Sequence, residues 1–162
     1  MNADIISIED YRDSDFETIL EMESSRGRDL YCHAVFIRQT AVLFPRLFLV
    51  ARKENGEIAG YTIGGVNPEE PNFGLVMRLF VSPGSRRTGT GWHLIEELFK
   101  RFSLYGAKSV TLTVSPSNEA ALNLYKSLGF SESSYIVGYF GEDEDRIVMN
   151  APFSEEPAKN PD

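Results

Sequence analysis

A chain of 162 residues, 42% hydrophobic and 25% charged, carries enough apolar material for one sizeable core, and the expectation is a single domain over residues 1–153. The net charge of −8 argues against nucleic acid as a partner. No apolar run reaches membrane-spanning length and no signal pattern opens the chain, so no membrane partner is expected. Cys32 is the one cysteine, which excludes an internal disulfide and fits a reducing cytoplasm.

Ile5 to Ile8 is a predicted strand. Asp13, Ser14 and Asp15 offer an N-cap to a helix carrying Phe16, Ile19, Leu20 and Met22, which Ser24-Ser25-Arg26-Gly27 breaks. A second helix is predicted over 29–44, with Leu30, Ala34, Ile37, Ala41 and Leu43 among its apolar positions and Pro45 ending it. Cys32 is expected to pack in that helix, and His33 to be structural or exposed. Leu47 to Arg52 reads as a strand, Glu54-Asn55-Gly56-Glu57 as a hairpin turn, and Ile58 to Val66 as the returning strand. Glycines at 60, 64 and 65 point to close backbone approach or bulging. An acidic, proline-flanked loop follows over 67–72 and holds Glu69 and Glu70.

The next stretch organises the chain. An apolar strand over 73–82 runs into Val81-Ser82-Pro83-Gly84-Ser85-Arg86-Arg87-Thr88-Gly89-Thr90-Gly91, and a helix with i,i+4 charge pairs on its wet face follows over 91–105. A strand, a Gly-rich turn and a helix start aim several backbone N–H groups at one point, where the helix dipole adds positive charge. Gly89 and Gly91 let an anion approach the backbone, and Arg86 and Arg87 add fixed positive charge. This is a phosphate cradle. The spacing of a P-loop is absent, and Leu94 stands where a dinucleotide fold needs its third glycine.

Ser109 to Val114 is a predicted strand and 118–128 a helix stopped by Gly129. Two strands, 130–140 and 146–153, flank the acidic turn 141–145, and the polar tail 154–162 is expected to be disordered. Within the helix, Asn118 and Tyr125 stand about two turns apart and share a face with the small Ala121 between them.

Two motifs carry a family resemblance. Arg86-Arg87-Thr88-Gly89-Thr90-Gly91 after Val81-Ser82-Pro83 resembles the Arg/Gln-x-x-Gly-x-Gly/Ala signature of the GNAT superfamily of acyl-CoA N-acyltransferases. Asn118-x-x-Ala121-x-x-x-Tyr125-x-x-x-Gly129-Phe130 resembles its downstream motif. The resemblance implies an α/β fold with a central mixed, mostly antiparallel sheet of about six to seven strands and helices on both faces. It implies acetyl-CoA as co-substrate. The backbone at Leu79, Phe80 and Val81 would hold pantetheine and the thioester, the N–H groups from Arg86 through Gly91 the pyrophosphate, and Asn118 the pantetheine arm. Tyr125 would face the sulfur and protonate the leaving thiolate. The carboxyl-terminal Tyr139-Phe140…acidic…Ile147-Val148-Met149 is similar to the ending of ribosomal-protein-alanine and other protein N-terminal acetyltransferases, where an aromatic lines the peptide slot, so Tyr139 is a candidate and Tyr135 a second one.

The chain departs from the family at one place. Many relatives carry a glutamate in the middle of the fourth strand as general base, and Arg78 stands there instead. Arg78 could read an acceptor carboxylate or be paired internally, and Glu69 and Glu70 are the nearest other carboxylates in sequence. An α-amine with a pKa near ~8 depends less on a strong base than a lysine does. The expected activity is direct transfer of an acetyl group to a primary amine, because no Cys or Ser stands in a nucleophile motif. A protein or peptide α-amine leads, with a small amine or amino acid as the alternative and a non-catalytic acyl-CoA-binding domain as the rival. No metal is expected, and the chain is expected to act as a monomer or homodimer.

Overall fold

The computed structural model describes residues 6–25 and 29–153. The strands are β1 (Ile6–Asp10), β2 (Phe48–Lys53), β3 (Ile58–Val66), β4 (Phe73–Val81), β5 (Ser109–Val114), β6 (Ser131–Ile136) and β7 (Arg146–Pro152). The α-helices are α1 (Phe16–Ser24), α2 (Leu30–Leu43), α3 (Thr90–Leu104) and α4 (Glu119–Ser127). The sheet has seven strands in the order β1-β2-β3-β4-β5-β7-β6. β4 and β5 are parallel, whereas β1–β2, β2–β3, β5–β7 and β6–β7 are antiparallel. The expected mixed, mostly antiparallel α/β sheet is therefore the observed one. No helix among the described residues is long and apolar enough to cross a membrane. The predicted break at Arg26 and Gly27, the tail 154–162 and the start of the first strand at Ile5 lie outside the described residues. Two compact units divide the chain, Met1–Gly64 with Met77–Leu98 and Gly65–Val76 with Phe99–Asp162.

In the first unit the core is Ile19, Ile37, Phe48, Val50, Ile58, Tyr61 and Ile63. Burying each such side chain contributes about 1.5–3 kcal/mol. An aromatic run threads this core: Tyr11 stacks on Phe48 at 4.3 Å, Phe48 meets Tyr61 at 6.0 Å, and Tyr61 stacks on Phe80 at 5.9 Å. β3 approaches β4 closely, because a Cβ at Gly60 would lie 2.5 Å from the Phe80 carbonyl oxygen.

Two helix expectations change. The 13–15 segment is a 3₁₀ turn, and the Asp15 carboxylate does not cap α1; it accepts from the Arg12 N–H at 3.0 Å and pairs with Arg52 at 2.8 Å. Asp29 does cap α2, accepting from the Tyr31 N–H at 2.9 Å. α2 buries His33, Ile37 and Thr40, which fall at i, i+4 and i+7 on one face. Cys32 is one position off that face and is exposed, so the expected packing role does not hold. Leu30 in the first turn of α2 and Leu43 in its last are exposed as well.

In the second unit, β5 and β7 alternate strictly, with Val110, Leu112 and Val114 buried on one and Ile147, Met149 and Ala151 on the other. Gly74 of β4 lies flat against the Phe102 ring, where a Cβ would come within 2.5 Å. Phe99 packs on Phe130 at 5.5 Å and on Phe153 at 6.0 Å. The strand predicted over 130–140 stops at Ile136. Gly138 and Gly141 adopt φ of 62° and 127°, and the Asp145 carboxylate accepts from the Gly138 N–H at 2.8 Å. Tyr139 and Phe140 consequently lie in a turn, not in a strand.

Candidate active site

The Gly-rich stretch is a tight turn into a helix start. β4 leads into a 3₁₀ turn over Pro83–Ser85, and α3 begins at Thr90. Two residues in between have positive φ, Arg87 at 61° and Gly89 at 84°. These left-handed steps turn the backbone into the helix start. Thr88 Oγ1 donates to the Ser85 carbonyl at 2.7 Å and lies 2.9 Å from Thr90 Oγ1, which braces the turn from inside. The Arg86 N–H reaches the Pro83 carbonyl at 3.4 Å. Among the described residues, none of the N–H groups of Arg87, Thr88, Gly89, Thr90 and Gly91 donates to a turn or loop carbonyl; the first N–H to do so is that of His93, to Gly89 O at 3.0 Å. A run of unspent donors at the start of a fifteen-residue helix can hold an anion. The Arg86 Nε donates to the Val81 carbonyl at 3.3 Å, which ties one guanidinium to the end of β4. Arg87 is exposed. The parallel register of β4 with β5 runs from Phe73–Ser109 to Val76–Leu112 and ends before Leu79, Phe80 and Val81.

The second motif lies in the second unit. Asn118 is exposed and caps α4, its Oδ1 accepting from the Ala121 N–H at 3.1 Å. Its amide NH₂ points the other way chemically: it can only donate. Tyr125 is buried and meets the Phe130 ring edge-on at 5.6 Å, while its carbonyl accepts the Leu128 and Phe130 N–H groups at the end of the helix.

A cleft of about 520 Å³ opens in the same unit, between the β5–α4 connection at Ser115–Ser117 and the turn after β6. Tyr135, Glu142, Asp143 and Asp145 line it. The Tyr135 hydroxyl donates to Asp145 at 2.6 Å; that bond holds the Asp145 carboxyl below its usual range and raises the phenol of Tyr135 above its own. Tyr139 is half-exposed and packs edge-on against Phe140 at 4.7 Å. Glu69 and Glu70 are exposed in the loop before β4.

Arg78 is paired within the first unit. Its Nε lies 3.2 Å from Glu23 Oε1, and its guanidinium stands over the Phe36 ring at 5.0 Å. Glu23, at the end of α1, is only 1% exposed. The Tyr61 hydroxyl also donates to its Oε1, and His33 Nδ1 lies 3.1 Å from its Oε2. Sequence reasoning missed Glu23 altogether. Among the described residues no group of three or more His, Cys, Asp or Glu is placed to hold a metal ion.

With this geometry in place, comparison with known proteins is informative. The sequence model of the Acetyltransferase (GNAT) family matches residues 7–130. The chain is 34% identical over 118 residues to N-alpha-acetyltransferase 20 of Dictyostelium discoideum, covering 70% of this chain and 67% of that protein. It is 31% identical over 110 residues to L-2,4-diaminobutyric acid acetyltransferase of Nocardia farcinica, covering 68% of this chain and 52% of that one. Its fold superposes on the ribosomal-protein-S18-alanine N-acetyltransferase of Escherichia coli with a TM-score of 0.73 at 25% identity, over 98% and 100% of the two chains.

Proposed function

The chain belongs to the GNAT acetyltransferase family and transfers the acetyl group of acetyl-CoA to an amine, and from that premise we propose that its acceptor is the α-amine of a protein or peptide. The observation that carries this reading is the 34% identity to a protein N-alpha-acetyltransferase over most of the chain. The full-length superposition on an enzyme that acetylates a ribosomal protein alanine supports it. The match over 7–130 is continuous through both compact units and supports one domain over 1–153. Cys32, lone and exposed, is consistent with a reducing cytoplasm as the place of action.

The residue roles follow from the chemistry each position can supply. The N–H groups of Arg87 through Gly91, with Arg86 and Arg87, hold the pyrophosphate. The β4 backbone at Leu79, Phe80 and Val81 seats the thioester, and Asn118 donates its amide N–H to the pantetheine arm while its oxygen caps α4. The neutral amine attacks the thioester carbonyl; the new N–C bond forms, the C–S bond breaks and the amine's proton is released. Tyr125 delivers a proton to the departing thiolate, whose conjugate acid has a pKa near ~8.5 against ~10 for the phenol. No carboxylate stands at the centre of β4, and Arg78 is engaged by Glu23. That suits an acceptor that is already partly neutral.

A second reading, a small amino-acid acceptor, is favoured by the similarity to the diaminobutyrate enzyme, of which this chain spans about half. One assay separates the two. Thiol release is followed with acetyl-CoA, a panel of short peptides with different first residues, the same peptides blocked at the amino terminus, and free diamino acids. Turnover of open peptides but not of blocked ones is expected. Turnover of free diamino acids alone would overturn the peptide reading, and absence of thiol release with every amine tested would favour a binding domain.

A further inference from the structure

We propose that Glu23 is a positioning residue for acetyl transfer, holding the acyl-bearing stretch of β4 in place through Arg78 and Tyr61. The inference rests on the reading above that Leu79, Phe80 and Val81 seat the thioester.

Four elements each contribute one polar group to this buried cluster: Glu23 from α1, His33 from α2, Tyr61 from β3 and Arg78 from β4. An unpartnered carboxylate so deeply buried would be strongly destabilising. Glu23 instead accepts from the Tyr61 hydroxyl at Oε1, with Arg78 Nε beside the same oxygen and His33 Nδ1 beside Oε2. The consequences reach β4 at two neighbouring points. Arg78 is held by its side chain at Glu23 and by its carbonyl, which accepts from Thr62 Oγ1 at 2.8 Å. Phe80 lies stacked on the Tyr61 ring at 5.9 Å with the planes 16° apart, and the hydroxyl of that same ring donates to Glu23. The Phe80 carbonyl rests against the bare α-carbon of Gly60. Leu79 is therefore bracketed by two residues that share one anchor. A thioester carbonyl presented to the β4 backbone needs that backbone fixed to a fraction of an ångström, because small misplacements of reacting groups are expensive.

Glu23 is badly placed to accept the amine's proton itself. It is buried, its Oε1 accepts from the Tyr61 hydroxyl, and Arg78 Nε and His33 Nδ1 stand 3.2 Å and 3.1 Å from its carboxylate. The charged and titratable groups facing it are His33 from α2, Tyr61 from β3 and Arg78 from β4, with the Phe36 ring covering the guanidinium. Its influence on catalysis is mechanical.

The test compares Glu23→Gln, Arg78→Gln and the double variant. Three quantities are read: kcat with the best peptide of the acceptor panel, the pH–rate profile, and calorimetric affinities for CoA and acetyl-CoA. Glu23→Gln should lower kcat roughly tenfold to hundredfold, the scale of a misplaced reacting group. CoA affinity should stay within about twofold, since the cradle is untouched, and the ascending limb of the profile should not move. The double variant should be no worse than the poorer single one, as expected for two residues acting through one contact. Additive losses would mean that Glu23 does not act through Arg78, and an ascending limb that disappears in Glu23→Gln would make Glu23 a direct proton acceptor; either result, or wild-type kcat, overturns the proposal. If Glu23→Gln fails to fold, Tyr61→Phe keeps the ring stack and removes only the hydroxyl. A kcat loss of roughly threefold to tenfold is then expected, the worth of about one hydrogen bond, and wild-type kcat would again overturn the idea. If the wild-type protein acetylates no amine, the acceptor reading fails on its own. Positioning is then judged by the gain in affinity of acetyl-CoA over CoA, which Glu23→Gln should reduce severalfold, and an unchanged gain would refute it.

Discussion

The cradle at 81–91 and the α4 stretch at 118–130 are both motif segments, yet they are made of different material. The proposed cradle is a matter of backbone: N–H donors would do its work, its shape is set by positive φ at Arg87 and Gly89, and side chains such as Thr88 serve as braces. The α4 stretch is built from side chains, with the Asn118 amide at one end and the Tyr125 phenol near the other. A backbone-built site tolerates a change of chemistry and fails under added bulk. A side-chain-built site tolerates bulk nearby and fails when one functional group is removed.

The strongest way to break this contrast is bulk in the cradle. Gly89→Trp should abolish acetyl-CoA binding by calorimetry while the far-ultraviolet spectrum stays folded. The residue has φ of 84°, and only His93 lies within 4 Å of the position a Cβ would take, so the side chain goes where the phosphate belongs. Unchanged affinity in a folded variant would mean that the loop does not hold the cofactor. Next in size is removal of chemistry from α4. Tyr125→Phe should lower kcat by roughly 10²-fold with little change in acetyl-CoA affinity, as for loss of one general acid. Wild-type turnover would make Tyr125 a packing residue against Phe130.

Asn118→Ala sharpens the comparison, because the residue has two duties. Loss of the cap should cost about 1 kcal/mol, or roughly 2–4 °C in Tm for a chain of this size. The KM for acetyl-CoA should rise as well, whereas Asn118→Asp, which keeps the cap oxygen and loses the NH₂, should raise KM with little change in Tm. A KM that follows Tm across both variants would leave Asn118 with the cap alone. The smallest effect concerns the turn after β6. The Asp145 carboxyl is held below its usual range first by the Tyr135 hydroxyl and then by the Gly138 N–H. A depressed carboxyl contributes stability that is present above its ordinary pKa of 3.8 and is lost as pH falls through the lower folded value. Tyr135→Phe should move the Asp145 titration upward, seen in its side-chain carboxyl carbon shift; an unmoved titration would mean the hydrogen bond is not made in solution.

How much was legible before folding follows the same division. The turn at Gly89 was legible because its positive φ favours glycine, which is visible in a sequence, whereas the positive φ of Arg87 carried no such mark. The helix that holds Tyr125 and the Asn118 cap before it were legible from periodicity and cap chemistry. Glu23 was not. A glutamate on an amphipathic helix reads as a solvated residue, and what buries it is a tyrosine 38 residues later together with Arg78 and His33. Those contacts exist only once α1, α2, β3 and β4 have packed. Arg78 looked like a gap in the family pattern for the same reason: its partner was invisible. The run 137–140 read as strand because it is apolar, while the left-handed Gly138 and the Asp145 side chain that fold it into a turn act across sequence.

The chain has a single tryptophan, and it sits in the first turn of α3. Trp92 is 8% exposed, its indole meets the His93 ring edge-on at 5.4 Å, and His93 Nδ1 lies 2.9 Å from the Gly89 carbonyl. The tryptophan emission of the protein, excited selectively over its seven tyrosines, therefore originates beside the loop that would grip the diphosphate. Emission recorded while CoA, dephospho-CoA or pantetheine is added becomes a one-site optical gauge of which piece of the cofactor the loop feels. It needs neither a dye nor turnover.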